Sequence, residues 1–121
     1  PVVLTLSTAH TSGTIDNVFS WPNYGHSYYK FTTSSADNYT LSMNNSDSLD
    51  CSLYSNSAFS TYVTSYSYGH CTADENLSKT FTGTTSSGGL SADTEYYLKI
   101  WGSSTTAKTT TYDNMTVAPE G

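Results

Sequence analysis

The sequence predicts an all-β fold: a single antiparallel β-sandwich or jelly roll of about eight or nine strands, closed by one disulfide. Three observations lead there. Short runs of apolar residues alternate with polar ones at the two-residue period of half-buried strands. No segment longer than about ten residues shows a capped 3.6-residue periodicity, and turn signals recur at the 8–12-residue spacing of sandwiches. The two cysteines of the chain, Cys51 and Cys71, sit at the two ends of one stretch, Leu49 to Cys71.

That stretch opens with Leu49-Asp50-Cys51-Ser52-Leu53-Tyr54, where Leu49, Cys51 and Leu53 alternate with polar neighbours. A Cys51–Cys71 disulfide would tie this strand to the loop and strand after it, worth roughly 3 kcal/mol in the chain-entropy model. Before it, Pro1 to Leu6 is a short strand led by β-branched residues. Thr11-Ser12-Gly13-Thr14 reads as a turn and Ile15 to Trp21 as a second strand, with Val18 and Phe19 on opposite faces, broken at Pro22. Ser27 to Thr33 is a strong strand with Tyr29 and Phe31 on one face, and Asn38 to Met43 another with Tyr39, Leu41 and Met43 inward.

After the central strand, Ser55 to Thr61 reads as loop and Tyr62 to Tyr68 as a strand with Tyr62, Thr64, Tyr66 and Tyr68 on one face. Thr72 to Asn76 is an acidic turn, Leu77 to Phe81 a strand, and Thr82 to Gly89 a Gly/Ser/Thr loop. Thr94 to Trp101 is the clearest strand, with Tyr96, Leu98 and Ile100 inward and Tyr97, Lys99 and Trp101 outward. Ser103 to Thr110 turns, Thr111 to Val117 closes the fold, and 118–121 reads as the start of a linker. Residues 1–121 thus form one domain, whose 1–6 strand either joins its own sheet or pairs with a neighbour.

Composition bounds the function. The chain is 36% apolar, below the usual ~45–50% that counts Gly, but eleven Tyr, four Phe and two Trp supply enough buriable surface to argue against disorder. Charged residues are 12%, and four Lys against ten Asp and Glu leave a net charge of −6. Phosphate recognition needs clustered Lys or Arg, so nucleic acid and anionic membranes are poor partners. No run of 18 apolar residues is present. A Ser/Thr/Tyr-rich, Lys-poor chain with a cysteine pair points to an extracellular or cell-surface setting. The chain starts at Pro1 without Met or leader, as expected of a mature or excised piece.

The order of motifs adds a likeness. Tyr28-Tyr29-Lys30-Phe31-Thr32, Tyr39-Thr40-Leu41, Ser48 to Tyr54, Leu90-Ser91-Ala92-Asp93-Thr94-Glu95-Tyr96-Tyr97-Leu98, then Tyr112 and Met115-Thr116-Val117 follow one another in the chain. This resembles the bacterial pre-peptidase C-terminal (PPC) domain family over roughly residues 15 to 118, with its "YxF", "DLxLY", "LxAGTYYLxV" and "YTLxV" strands. Two departures stand out. Asp93 takes the place of a Gly before the Tyr pair, and one extra residue between Tyr112 and the final apolar pair suggests a bulge. The resemblance implies a β-sandwich appended to secreted peptidases, glycoside hydrolases or surface proteins. Its relatives include collagen-binding modules of clostridial collagenases, some of which bind calcium, and it implies no catalytic residues.

Candidate chemistry is sparse. His10, His26 and His70 are the three histidines, and no Gly-x-Ser-x-Gly elbow accompanies the many serines. No enzymatic activity and no required cofactor are expected. Asp47, Asp50, Asp74 and Glu75 are hard oxygen donors of the kind that suits Ca²⁺ if the disulfide gathers them, yet carboxylates also cap turns. Outward Trp101 and Tyr97, with Tyr66 and Tyr68 on another strand, form either a glycan- or protein-binding surface or a packed seam. Val2, Val3, Leu4 and Leu6 could pair with a second copy, and the sequons at Asn38, Asn44, Asn76 and Asn114 permit glycosylation. The expected function is therefore a non-catalytic binding or adhesion module of a secreted or cell-surface protein. The alternative is a self-assembling subunit of an extracellular filament or surface layer, joined by strand addition.

Overall fold

The structure is a computed structural model that describes residues 2–10, 13–17, 26–46, 48–63, 70–82, 89–102 and 108–120. Its described residues hold nine strands and no helix: β1 (Val2–Val3), β2 (Gly13–Asn17), β3 (His26–Thr32), β4 (Tyr39–Asn45), β5 (Leu49–Tyr54), β6 (Cys71–Ala73), β7 (Ser78–Phe81), β8 (Glu95–Gly102) and β9 (Lys108–Pro119). They form a five-stranded sheet in the order β1-β3-β8-β5-β6 and a four-stranded sheet in the order β2-β9-β4-β7. One core lies between the sheets. Phe31, Leu53, Leu98 and Ile100 enter it from one side, and Tyr39, Leu41, Phe81, Met115 and Val117 from the other. The all-β sandwich expected from the alternation is the fold observed.

The strands β3, β4, β5, β7 and β8 lie within two residues of where the pattern put them, between turn residues, and β4 and β8 alternate cleanly between buried and more exposed positions. Other boundaries shift. Gly13 and Thr14 belong to β2 rather than to a turn, because they continue the antiparallel pairing that His10 makes with Met115. Thr72 and Ala73 belong to β6, paired with Asp50 and Leu49, so the acidic turn shrinks to the residues after Ala73. The chain from Lys108 to Thr110 is strand rather than turn, and β9 continues through Ala118 and Pro119, read from sequence as linker. The positions Val18, Phe19, Thr64, Tyr66 and Tyr68 lie outside the described residues; Tyr62 makes an isolated bridge to Tyr54.

One pairing is parallel: Val2 and Val3 of β1 lie beside Tyr29 and Lys30 of β3. The chain then crosses to the other sheet, where Ser7 N–H donates to Val117 (2.8 Å) and His10 N–H to Met115 (2.8 Å). Leu4 is buried on the way. The N-terminal segment thus straps the two sheets together, and the parallel direction follows because β1 meets β3 before the crossing instead of through a hairpin.

The extra residue in the last strand is a β-bulge. Ser42 opposes Thr116 but Asn44 opposes Asp113, so two steps of β4 face three of β9. Asn114 takes φ = 55° at this point, a conformation Asn tolerates better than most residues. Strict alternation from Tyr112 would send Met115 and Val117 to the surface. The bulge restores both to the core, and all three are buried. Asp93 is a second such position, at φ = 51° in the turn before β8, where the resembling pattern carries Gly.

Buried polar groups are tied across the fold. Asn45 accepts from Leu77 N–H at 3.0 Å and donates from Nδ2 to the Ala73 carbonyl at 3.2 Å, joining the end of β4 to the turn between β6 and β7. Thr33, also buried, donates to the Ser91 carbonyl at 2.5 Å and accepts from Thr94 N–H at 3.0 Å. The Cys51–Cys71 disulfide links directly paired positions of β5 and β6, with Cα atoms 4.9 Å apart. Tyr29 and Tyr112 join the sheets by a hydrogen bond between their hydroxyls.

Burial, reinforced by that bond, pushes the Tyr29 phenol well above its ordinary value. A raised folded-state pKa means stability that is full below the unfolded value near 10 and lost as pH rises beyond it. Chemical denaturation at pH 8 and pH 11 should show a fall in stability, and Tyr29→Phe should make that fall smaller by about 1.4 kcal/mol. Equal falls in both proteins would rule out Tyr29 as the source.

Candidate functional site

The outer face of the five-stranded sheet is set by the same alternation that builds the core. On β8, Tyr96, Leu98 and Ile100 are buried, so Tyr97, Lys99 and Trp101 must point to the opposite face, where each is half-buried. Strand register adds their neighbours. Tyr28 of β3 and Ser52 of β5 stand opposite Lys99, Lys30 and Tyr54 opposite Tyr97, and Asp50 opposite Trp101. The two outward aromatics expected on this strand are therefore on one surface, side by side with Tyr28 and Tyr54.

Two interactions position the row. Lys99 Nζ lies 5.4 Å from the Tyr54 ring centroid and 5.1 Å from that of Trp101, so the ammonium sits between two π faces. Tyr97 donates its hydroxyl to Glu95, which also pairs with Lys30 at 3.8 Å. The hydrogen bond to Glu95, helped by desolvation, raises the Tyr97 pKa and keeps the phenol protonated. His70 tilts against Trp101 with ring centroids 5.9 Å apart, and its Nδ1 is 3.5 Å from Ser52 Oγ. Ser52 is fully buried, so that pair is packing beneath the face.

The segment 55–61 folds over this surface. Asn56 organises it: its Oδ1 accepts from Ser60 N–H (3.1 Å) and Thr61 N–H (2.9 Å), and its Nδ2 donates to Ser60 Oγ (2.7 Å). Ser55 N–H closes the base by donating to the Thr61 carbonyl. The tip thereby places Phe59 edge-on to Tyr28 (4.8 Å), Tyr54 (5.8 Å) and Tyr97 (5.8 Å). Tyr62 stacks on Tyr54 at 5.1 Å, which leaves Tyr54 only 3% exposed although it points outward. Burial raises the Tyr54 pKa accordingly. Tyr28, Ala58, Phe59 and Lys99 line a depression of about 410 Å³.

Sequence reasoning pointed to Tyr97 and Trp101 but not to Phe59, which lies in a loop where no periodicity assigns a direction. Tyr28, Tyr54 and Lys99 were accessible through the alternation of β3, β5 and β8. Tyr66, Tyr68 and Asp47 lie outside the described residues. Of the other carboxylates, Asp50 stands opposite Thr72 on β6 and Asp74 accepts from Ser48 Oγ at 2.6 Å. Among the described residues no three His, Cys, Asp or Glu side chains gather into a group able to hold a metal ion; Asp47, the fourth carboxylate of the calcium reading, lies outside them. Val2 and Val3 are 47% and 65% exposed on the sheet edge, whereas Leu4 is in the core and Leu6 packs against it.

By sequence, no family model matches this chain and no curated protein does. By structure, the chain is similar to the pre-peptidase C-terminal domain of a collagenase from Bacillus anthracis. The TM-score is 0.58 at 17% identity, over 96% of this chain and 92% of that one. It is also similar to a periplasmic inhibitor of g-type lysozyme from Aeromonas hydrophila, with a TM-score of 0.53 at 11% identity over 94% of each chain. The chain therefore has the fold of a pre-peptidase C-terminal domain, as the order of its strand motifs suggested.

Phe59 holds φ = 54°, a left-handed conformation that costs a bulky residue about 1–2 kcal/mol. Its ring contacts over three aromatics offset that strain. Phe59→Gly and Phe59→Ala both delete the ring, but only Gly relieves the backbone. Denaturant titration should find both destabilised, with Gly the more stable by about 1 kcal/mol; the reverse order would show that the loop relaxes out of this conformation.

Proposed function

We propose that this chain is a non-catalytic recognition module of a secreted or periplasmic protein, and that its ligand, a glycan or protein, lies on the outer face of the five-stranded sheet. One observation carries the reading: Tyr97, Lys99 and Trp101 share one face of β8 and are joined there by Tyr28 and by Phe59 from a latched loop. A strand that only needed to cover a second surface with polar residues would not hold so many rings beside one ammonium. The disulfide and the fold shared with a domain of a collagenase and with a periplasmic inhibitor support an oxidising compartment. Neither comparison names a ligand for this chain. Trp101→Ala and Tyr97→Ala should each weaken binding to the ligand found in a glycan and extracellular-protein panel by tenfold or more, while leaving the fold intact by circular dichroism. An unchanged ligand profile in both variants would remove this face from consideration.

A second reading has its own observation. β1 is an edge strand of two residues whose valines are the most exposed large apolar side chains of its sheet edge. Such an edge can take a strand from another copy, as in a filament or surface layer. If it does, the chain should form concentration-dependent oligomers in sedimentation velocity, and Val3→Lys, at a site 65% exposed, should abolish them without unfolding the monomer. A chain that stays monomeric at high concentration excludes this reading.

A further inference from the structure

The outer face carries a charge that its neighbours do not neutralise. Of the four lysines, Lys30 is paired with Glu95, and Lys79 and Lys108 lie on β7 and β9 in the other sheet. Lys99 has no carboxylate within ion-pair distance among the described residues, although the protein carries a net charge of −6. Asp50, opposite Trp101, is its closest acidic neighbour in register and makes no such pair. The rings of Tyr54 and Trp101 attract the ammonium as a charge but offer it no lone pair. Its N–H donors still require acceptors. Water supplies them while the face is open. A ligand that covers the face displaces that water, and a neutral ligand would leave a desolvated cation unpaired.

We propose that this row takes a polysaccharide bearing hexuronate carboxylates, with Lys99 Nζ as partner of one carboxylate and Tyr97 and Trp101 as platforms for sugar rings on either side. The proposal rests on the reading of this face as the binding surface. Same-face residues on a strand are roughly 7 Å apart, so ring, ammonium and ring follow one another along β8 at the scale of successive sugar units. The flat faces of pyranose rings pack on aromatic faces, and a carboxylate on the intervening unit meets the ammonium in a charge-assisted hydrogen bond. A polypeptide fits less well. Extended peptides are held through main-chain bonds at a sheet edge, and β8 has no edge, being paired with β3 on one side and β5 on the other. The net charge of −6 further favours a chain of sparse carboxylates over a dense polyanion.

Galacturonan, alginate and hyaluronate, each as the partly methyl-esterified and the fully methyl-esterified form, provide matched ligands that differ only in free carboxylate. At least one should bind by isothermal titration calorimetry, with the partly esterified form roughly tenfold or more tighter than the full ester. Lys99→Met keeps the length of the side chain and should erase that preference, whereas Lys99→Arg should retain it; melting curves of both confirm folding. Equal affinity for the two forms, with binding still dependent on Tyr97 and Trp101, overturns the uronate assignment and leaves the binding face standing. An unaltered preference in Lys99→Met also overturns it, as does the absence of binding to all three. If, in addition, Tyr97→Ala and Trp101→Ala leave every ligand of the wider panel unchanged, the face itself is the wrong surface.

Discussion

The register of β8 between β3 and β5 is the constraint on which the molecule depends. Held on both sides by antiparallel pairing, β8 cannot slip by one residue without sending Leu98 and Ile100, both fully buried, to solvent. That penalty is several kilocalories, since burying each large aliphatic side chain contributes about 1.5–3 kcal/mol. The same rigidity acts on the other face. Tyr97, Lys99 and Trp101 are displayed in a fixed order because their neighbours in sequence are locked in the core. A surface built this way loses little conformational entropy when covered, which favours binding through side chains on strands over binding through free loops.

The fold meets two local problems with residues that accept unusual backbone conformations. The closing strand needs Tyr112, Met115 and Val117 all inward, which two-residue alternation cannot provide. A bulge centred on Asn114 solves it. The turn before β8 needs a left-handed residue, and Asp93 supplies it where a Gly would do so more cheaply. The Gly89 backbone approaches Asp37 so closely that an added Cβ would stand 2.9 Å from its carbonyl carbon, and Leu90 and Asp37 exchange backbone hydrogen bonds there. These junctions fix where β8 begins, so they contribute to the outer face at a distance.

How much of this was legible in the sequence depended on whether periodicity applied. Along Ser27–Thr33, Asn38–Met43 and Thr94–Trp101, alternation named the buried residues correctly and, by subtraction, the outward ones. The bulge was legible too, as one residue too many before Met115. The parallel direction of β1 was not, because Val2 and Val3 look the same in either direction and the crossing to β9 is a matter of tertiary contact. Nor was the position of Phe59. Its placement comes from the Asn56 side chain closing the loop with three hydrogen bonds, and such Asx-type closure leaves no hydrophobic period to read. The calcium reading came from two acidic pairs, Asp47 with Asp50 and Asp74 with Glu75, that the disulfide was expected to gather. In the structure Asp50 lies within β5 and Asp74 accepts from Ser48 in a turn, while Asp47 lies outside the described residues.

The placement of Lys99 also bears on how this aromatic face would meet a partner or another copy. Rings grouped on a flat sheet form an apolar patch of the kind that drives association. An ammonium lies between two of them, within cation–π distance of both, and a charge placed there resists desolvation. On the proposed reading, covering that charge would be favourable for a partner that brings its own negative charge. A second copy of this chain would bring another Lys99 to a symmetric contact, and like charges would oppose it. On the reading proposed for this face, Lys99 would favour a ligand that is flat and anionic at one point and would disfavour a symmetric contact with another copy.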